Sequence, residues 1–297
     1  TTAKFYAQTH SRANNDKYHG LIKLMLRSVR KSHGNSELII LTDYWTSFMD
    51  WGLKNISVVR NAVKSELMML GRAEAQLDLI KSGKIEGSIA FLDSDMILTS
   101  SLDELSSYEY DIALTWREHE SMCINGGFIF VKDGSSPAAR AFFTDYLEIY
   151  RSLDMASQSW YGDQIALSKI VGINWREMQS SSSYPIRSMG QYKILLLPCS
   201  YYNYSPNNSY SAILDEINNC KILHFKGKRK RLMKLYFYAY CQSSLAAFSL
   251  KRVTKYSAIA SIYMLYCAQE IILKAKSLFS QSLLLTSKNI KIEYAYT

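Results

Sequence analysis

Two aspartates, Asp93 and Asp95, follow the apolar run of residues 89–92. Such a run is typical of a strand covered on both faces of a parallel sheet. Side chains at positions i and i+2 of an extended chain point to the same side, so both carboxylates can face one point. Their charges repel unless a cation lies between them, and carboxylate oxygens suit Mg²⁺ or Mn²⁺. The pattern therefore predicts a divalent-cation site; the alternative is an exposed Asp-Ser-Asp turn.

The segments around this run alternate between strand and helix patterns. We predict strands at residues 4–8, 37–41, 56–59, 88–92, 110–116, 128–131, 194–198 and 221–225, and helices at residues 15–33, 64–81, 137–150 and 163–171. Strands and helices that alternate through short connections indicate a parallel sheet with crossover helices. Ligands of such sheets bind at the carboxyl ends of the strands, where the two aspartates are expected to lie.

Composition narrows the class of protein. The chain has 297 residues, of which 48% are hydrophobic, enough for one large α/β domain with an appendage. Its five cysteines are scattered and form no Cys-x-x-Cys pair, which argues for a reducing compartment and against a disulfide framework. The first ten residues are polar, so we expect no secretory signal and a cytoplasmic location. No Walker A loop, zinc pattern or dinucleotide fingerprint occurs.

Basic residues are concentrated near the C-terminus. Residues 228–297 contain twelve Lys and Arg and two Asp and Glu, whereas the whole chain contains 35 and 26. Their least polar part, residues 256–268, is shorter than the ~20 residues that a membrane span needs. An interfacial helix or a packed helical hairpin fits better. We therefore divide the chain into a first domain, residues 1–227, and a basic, aromatic helical region, residues 228–297. We expect the region to contact an anionic membrane surface and no nucleic acid.

Four motifs occur in an order that is similar to a known enzyme family. They are a strand ending in Asp93-Ser-Asp95, an Asn125-Gly-Gly turn opening into a strand, Asp163-Gln164 opening a helix, and His224-x-x-Gly227 after a late strand. This order resembles the GT-A nucleotide-sugar glycosyltransferases, and among them glycosyltransferase family 8, which includes lipopolysaccharide galactosyl- and glucosyltransferases and glycogenin. The resemblance covers roughly residues 4–231. It implies an α/β, Rossmann-like GT-A fold with a mixed, mainly parallel sheet and crossover helices, followed by the basic helical segment.

The resemblance also implies a role for each matching residue. The metal ligands would be Asp93, Asp95 and His224. The residues that bind the nucleotide-sugar donor would be Ala7, Gln8 and Thr9 at the nucleoside, Lys230 at the diphosphate, and Arg72, Asp93, Ser94 and Gly227 elsewhere along it. The catalytic residues beside the donor sugar would be Asn125, Asp163 and Gln164.

A cation at the Asp-Asp-His site would bridge the phosphate oxygens and stabilise a nucleoside diphosphate as leaving group. We therefore expect a Mn²⁺- or Mg²⁺-dependent transferase that moves a hexose from a UDP-sugar to a glycan or glycolipid, with retention at the anomeric carbon. Two alternatives stay open: an inverting transferase with Asp163 as general base, and a membrane-associated protein that binds nucleotide sugars without catalysis. A haloacid-dehalogenase-type phosphatase fits less well, since its Asp-x-Asp follows the first strand and has Thr or Val where Ile97 stands.

We predict that residues 228–297 attach the protein peripherally to the inner face of an anionic membrane. Each basic residue at such a surface contributes about 1 kcal/mol, and salt screens this attraction. Liposome flotation should recover the protein on anionic vesicles, more at low salt than at high salt. A chain cut near Arg252 should bind vesicles less and UDP-sugars equally well. Equal recovery on neutral and anionic vesicles, or none on either, would contradict electrostatic attachment.

Overall fold

The protein is described by a computed structural model that covers residues 4–9, 15–48, 52–172, 175–178, 184–208 and 220–242 and the single residues 260 and 264. The chain forms two compact units, Thr1–Phe237 and Tyr238–Thr297. The predicted separate function of the basic region stays a prediction. Beyond residue 242 the structure describes only residues 260 and 264, both helical, so the extent of the predicted helices lies outside the described residues. Within the described ranges, no helix has the length and apolar character needed to cross a bilayer.

The described strands all belong to the first unit. They are β1 (Lys4–Thr9), β2 (Leu38–Asp43), β3 (Ile56–Asn61), β4 (Ile89–Asp93), β5 (Met96–Leu98), β6 (Ile112–Trp116), β7 (Ile124–Val131), β8 (Ile186–Met189), β9 (Tyr192–Pro198) and β10 (Ile222–His224).

Helices connect most of these strands. The α-helices are α1 (Asn15–Ser32), α2 (Met68–Lys81), α3 (Pro137–Arg151), α4 (Met155–Ser159), α5 (Gly162–Val171), α6 (Trp175–Met178), α7 (Cys199–Tyr202) and α8 (Met233–Tyr236). Three 3-10 helices, at Ser65–Leu67, Asp103–Ser107 and Gly227–Leu232, and a π-helical turn at Phe237–Gln242 complete the described helical segments.

One eight-stranded sheet organises the first unit, with the strand order β3-β2-β1-β4-β7-β6-β9-β8. Strands β3, β2, β1 and β4 are parallel to one another, and so are β6 and β9. Strand β7 runs antiparallel to both β4 and β6, so β4 and β6 have the same direction. The carboxyl ends of β1, β4, β6 and β9 therefore lie at one edge of the sheet, where open α/β sheets bind ligands. This arrangement confirms the predicted mixed, mainly parallel sheet.

The core explains the apolar runs in the central strands. Alternate residues of the central strands, such as Phe91 and Ile129, pack with α2, α3 and α5 in one buried cluster. In α1, Ile22, Met25 and Val29 are buried at helical spacing, and the helix contacts β1 and β5. Because residues 38–41 of β2 and 89–92 of β4 are buried on both faces of the sheet, their side chains are continuously apolar. The burial fixes the strand ends that carry the polar groups described next.

Candidate functional site

Asp93, Asp95 and His224 converge on one point at the carboxyl edge of the sheet. Asp93 ends β4, a two-residue turn contains Asp95, and β5 pairs antiparallel with β10, which ends at His224. His224 Nε2 lies 3.5 Å from Asp93 Oδ2 and 3.1 Å from Asp95 Oδ1. One possible ligand atom from each of the three residues lies within 4.8 Å of the others. The carboxylates thus meet through a turn, where a continuous extended segment was expected.

Asp95 has two positively charged or ionisable neighbours. Lys230 Nζ lies 3.2 Å from its Oδ2, opposite the contact with His224. Burial acts to raise the pKa of Asp95, but the charge and hydrogen bond of His224, together with Lys230, hold that pKa at about 2. Burial raises the pKa of Asp93, against the opposing charges of Arg72 and His224. Asp95 is therefore held more firmly in its charged form than Asp93.

Arg72 joins Asp93 to Asp163. This side chain of α2 is 4% exposed and donates to Asp93 Oδ1 over 2.5 Å and to Asp163 Oδ2 over 2.6 Å. A weaker contact of 3.3 Å reaches the carbonyl oxygen of Gly126. The planar guanidinium group can bind two carboxylates at once, and charge-assisted hydrogen bonds of this kind are short and strong. Arg72 therefore fixes the spacing between the strand end and the start of α5.

The Asn125-Gly126-Gly127 segment lies within β7, so the predicted turn at these residues is wrong. Asn-Gly usually occurs in tight turns. Here the two glycines are required because polar side chains lie too close to the strand for a Cβ atom. A Cβ atom on Gly127 would lie 2.6 Å from His224 Cε1 and 2.9 Å from Asp93 Oδ2. One on Gly126 would lie 2.9 Å from Asp163 Oδ2. The missing side chains make room for the polar groups that meet over the strand.

Helix α5 presents Asp163 and Gln164 to the same region. Tyr161 precedes the helix in the left-handed conformation, with φ of 62°, and makes no side-chain capping hydrogen bond. Asp163 is buried, and its carboxylate binds Arg72. A residue other than glycine at positive φ is strained, and such strain is found preferentially at functional sites. Asp163 and Gln164 both line the cavity described below, whereas their sequence alone also fits an ordinary helix start.

The side chain of Asn125 faces Gln164, and the side-chain oxygen of Asn125 already accepts two hydrogen bonds. Asn125 Oδ1 accepts hydrogen bonds from the backbone N–H of Gly127 over 3.0 Å and from Asn203 Nδ2 over 2.9 Å. Its Nδ2 lies 3.5 Å from Gln164 Oε1, which also accepts from Arg117 over 2.9 Å. Asn125 therefore presents an N–H donor to this side of the cavity.

These side chains surround a cavity of about 430 Å³. The predicted site residues that line it are Arg72, Asp93, Asp95, Asn125, Asp163, Gln164, His224 and Gly227. Ser94 is buried between the two aspartates, and Lys230 reaches the site through Asp95. Of Ala7, Gln8 and Thr9 the structure describes the backbone: they end β1, and Gln8 is the register partner of Asp93.

Sequence reasoning missed several residues at or behind the cavity, among them Arg117, Lys226 and Asn203. Arg117 and Lys226 line the cavity, and Asn203 lies behind it, hydrogen-bonded to Asn125 and His224. Arg117 directly follows β6, so its position after a strand parallel to β4 was a usable signal. Burial lowers the pKa of Lys226, and the nearby positive charge of Arg117 lowers it further. Asn203 lies in a polar, aromatic stretch that offered no such signal.

The three converging side chains fit a divalent cation. Two carboxylate oxygens and an imidazole nitrogen are ligands that Mn²⁺ accepts, and the side open to the cavity leaves positions for other oxygen ligands. Arg72 and Lys230 already pair with these two carboxylates, and a cation between them would add to that compensation. The residues present therefore suit the metal that the motif order implies.

Comparison with solved structures identifies the fold. The bifunctional glycosyltransferase WbbM, in its apo structure, is similar at 12% sequence identity over 86% of this chain and 51% of its own, with a TM-score of 0.51. The chain has the GT-A fold. It spans about half the length of WbbM. No protein-family model and no curated protein matches the sequence.

Two further structures similar to this GT-A chain are also glycosyltransferases. One is involved in glycosylation of the major capsid of PBCV-1 and matches at 10% identity over 79% of this chain and 100% of its own, with a TM-score of 0.48. The other, GlyE of Streptococcus pneumoniae TIGR4, matches at 13% identity over 83% of this chain and 62% of its own, with a TM-score of 0.47.

We predict that Gly127→Ala weakens Mn²⁺ binding at least tenfold, because the new methyl group would displace the His224 ring. Titration of Mn²⁺ into the protein measures the affinity, and urea unfolding reports whether the fold survives. Gly20→Ala is a matched control, since a Cβ there meets nothing within 4 Å and alanine favours the helix by ~1 kcal/mol. Unchanged Mn²⁺ affinity in folded Gly127→Ala would contradict the placement of the metal.

Proposed function

We propose that the protein is a metal-dependent glycosyltransferase that moves a hexose from a nucleoside diphosphate sugar, with a UDP-sugar as the expected donor, to a glycan or glycolipid. The observation that carries this proposal is the convergence of Asp93, Asp95 and His224 beside a cavity of a GT-A fold. A bound Mn²⁺ or Mg²⁺ would neutralise the diphosphate leaving group at this point.

The charges that line the cavity support an anionic donor. Arg72 is paired with Asp93 and Asp163, and Lys230 is paired with Asp95. Among the described residues, no carboxylate forms an ion pair with Arg117 or Lys226. These two cations can therefore act on a diphosphate or on the charge that develops as the glycosidic bond breaks.

Three groups of residues would hold the three parts of the donor. Residues 7–9 at the end of β1 would contact the nucleoside, since Gln8 is in register with Asp93. Gly227 and Lys230 would bind the diphosphate beside the Asp-Asp-His group. Asn125 and Gln164 would contact the sugar at the opposite end, with the amide of Asn125 donating. Positioning of this kind brings the reacting atoms together before the bond breaks.

The contacts of Asp163 favour a retaining reaction. Its Oδ2 accepts a hydrogen bond from Arg72 over 2.6 Å in a buried site. A carboxylate oxygen that is already held by a guanidinium group in a buried site is poorly placed to take a proton from an acceptor hydroxyl. Asp163 would therefore orient sugar hydroxyls or Arg72, and Gln164 would lie at the reacting face. This contact weighs against the inverting alternative.

The rim of the cavity supports a sugar acceptor. Trp160 and Tyr161 line the cavity, and 66% and 44% of their surfaces are exposed. Exposed aromatic rings offer flat apolar faces on which sugar rings can stack. A glycolipid acceptor would also explain the basic residues near the C-terminus, as an attachment to the membrane that contains it.

We predict that Asp95→Asn abolishes the Mn²⁺-dependent thermal shift by UDP-sugar and lowers transfer ~100-fold or more, since it removes a ligand charge with little change of shape. A panel of UDP-, GDP- and CDP-sugars, with and without Mn²⁺, also identifies the nucleotide. Asp103→Asn, at an aspartate whose side chain is 80% exposed, is the control and should behave as wild type. Full metal-dependent activity in Asp95→Asn would refute the assignment.

We further predict that the first product retains the anomeric configuration of the donor. Proton NMR of the transfer product measures the coupling constant of the anomeric proton in the new glycosidic bond. Asp163→Asn should slow transfer without changing the product anomer. An inverted product would reject the retaining mechanism and make Asp163 the general base.

A further inference from the structure

A buried chain of hydrogen bonds lies behind the Asp-Asp-His group. His224 Nδ1 is 2.8 Å from Asn203 Oδ1, and Asn203 Nδ2 is 2.9 Å from both Thr115 Oγ1 and Asn125 Oδ1. Asn125 Oδ1 is in turn 3.0 Å from the backbone nitrogen of Gly127. The four side chains are each at most 3% exposed. Burial of this degree requires that every donor meet an acceptor.

One group that can only donate, the backbone N–H of Gly127, determines which atom donates in every hydrogen bond of this series. The backbone N–H of Gly127 has no acceptor function, so the Asn125 atom that faces it is the carbonyl oxygen Oδ1. The Asn203 atom that faces this oxygen is then the amide nitrogen Nδ2. The other end of that amide, Oδ1, faces His224. An oxygen at this position accepts a hydrogen bond, so Nδ1 of the imidazole carries a proton.

We propose that Asn203 is a positioning residue that keeps a proton on His224 Nδ1, so that Nε2 is the ring atom offered to a divalent cation between Asp93 and Asp95. The inference rests on the proposed function, since it assigns a role at that metal site. Nε2 is the nitrogen that faces the two carboxylates, at 3.5 and 3.1 Å. An outer hydrogen bond of this kind fixes both the tautomer and the orientation of a histidine ligand.

Asn203 also acts on the sugar end of the cavity. By donating to Asn125 Oδ1 it helps to hold the Asn125 amide with Nδ2 towards Gln164. The Asn203 amide therefore determines which atom of Asn125 faces Gln164 and which nitrogen of His224 faces the carboxylates. Removal of its oxygen and removal of its nitrogen should have different effects, which permits a test with two substitutions.

Asn203→Ala removes both functions, and we expect Mn²⁺ affinity to fall about 10- to 100-fold. Asn203→Asp keeps an oxygen for His224 Nδ1 and loses the donor to Asn125, so it should recover most of the affinity while kcat for transfer stays low. Thr115→Val removes the oxygen that accepts from Asn203 Nδ2 and donates to the backbone carbonyl of Asn125, and it leaves the bond between Asn203 and His224. It is the matched control, with Mn²⁺ affinity expected within about threefold of wild type. Unfolding in urea confirms that each variant is folded.

The proton position is read directly by ¹⁵N NMR of histidine-labelled protein, without metal and with diamagnetic Mg²⁺. The wild type should show a proton on His224 Nδ1 in both samples, whether or not Nε2 carries another. A neutral ring protonated at Nε2 alone would overturn the proposal. So would folded Asn203→Ala with wild-type Mn²⁺ affinity, or Asn203→Asp as weak as Asn203→Ala.

This design separates the inference from the proposed function. Wild-type protein that binds no Mn²⁺ would refute the metal-dependent transferase, and it would also remove the metal role of Asn203. Wild-type protein that binds Mn²⁺ but carries the ring proton on Nε2 alone would refute the role of Asn203 and leave the transferase standing.

Discussion

Three carboxylates share one edge of the sheet, and the compensation of their charges is the constraint on which the site depends. Asp93, Asp95 and Asp163 approach one another in a largely buried setting, where like charges repel strongly. Arg72 binds two of them and Lys230 binds the third. Removing one member of such a network leaves an unpaired buried charge, which is far more costly than the pair is stabilising. The cations therefore stabilise the folded arrangement of these carboxylates by themselves.

Segments that are distant in the sequence meet at the carboxyl edge of the sheet. Strand β4 delivers the aspartates, and the small sheet of β5 and β10 delivers His224 by antiparallel pairing. Strand β7 passes beneath them, and its two glycines give space to Arg72, Asp163 and His224. The backbone of β7 also supplies the N–H that begins the hydrogen-bond chain to His224. Strand β7 therefore contributes to the site through its backbone and through the small size of Gly126 and Gly127.

The sequence predicts the parts of this site that depend on a strand end. The apolar run before Asp93 and the order of the later motifs lead to Asp95, Asp163 and His224. Local patterns failed at Asn125-Gly-Gly, because glycine at a turn and glycine under a close contact look the same in sequence. They also failed at Asn203, whose partners Thr115 and His224 are distant in the chain. Only tertiary packing decides such cases, since the same polar residues are equally suited to a surface loop.

The order of the residues along the chain has a consequence for synthesis on the ribosome. Arg72 precedes Asp93 by 21 residues, so a counter-charge for the first aspartate has already been made when the aspartate emerges. His224 and Lys230, the partners of Asp95, emerge only near the end of the first unit. Until then, the nascent sheet exposes a carboxylate without its two neighbours and lacks the β10 partner of β5. The last described strand, β10, therefore completes the pairing of β5, and it brings His224 and soon afterwards Lys230 to Asp95. We expect incomplete chains that lack this segment to differ in stability from the finished domain.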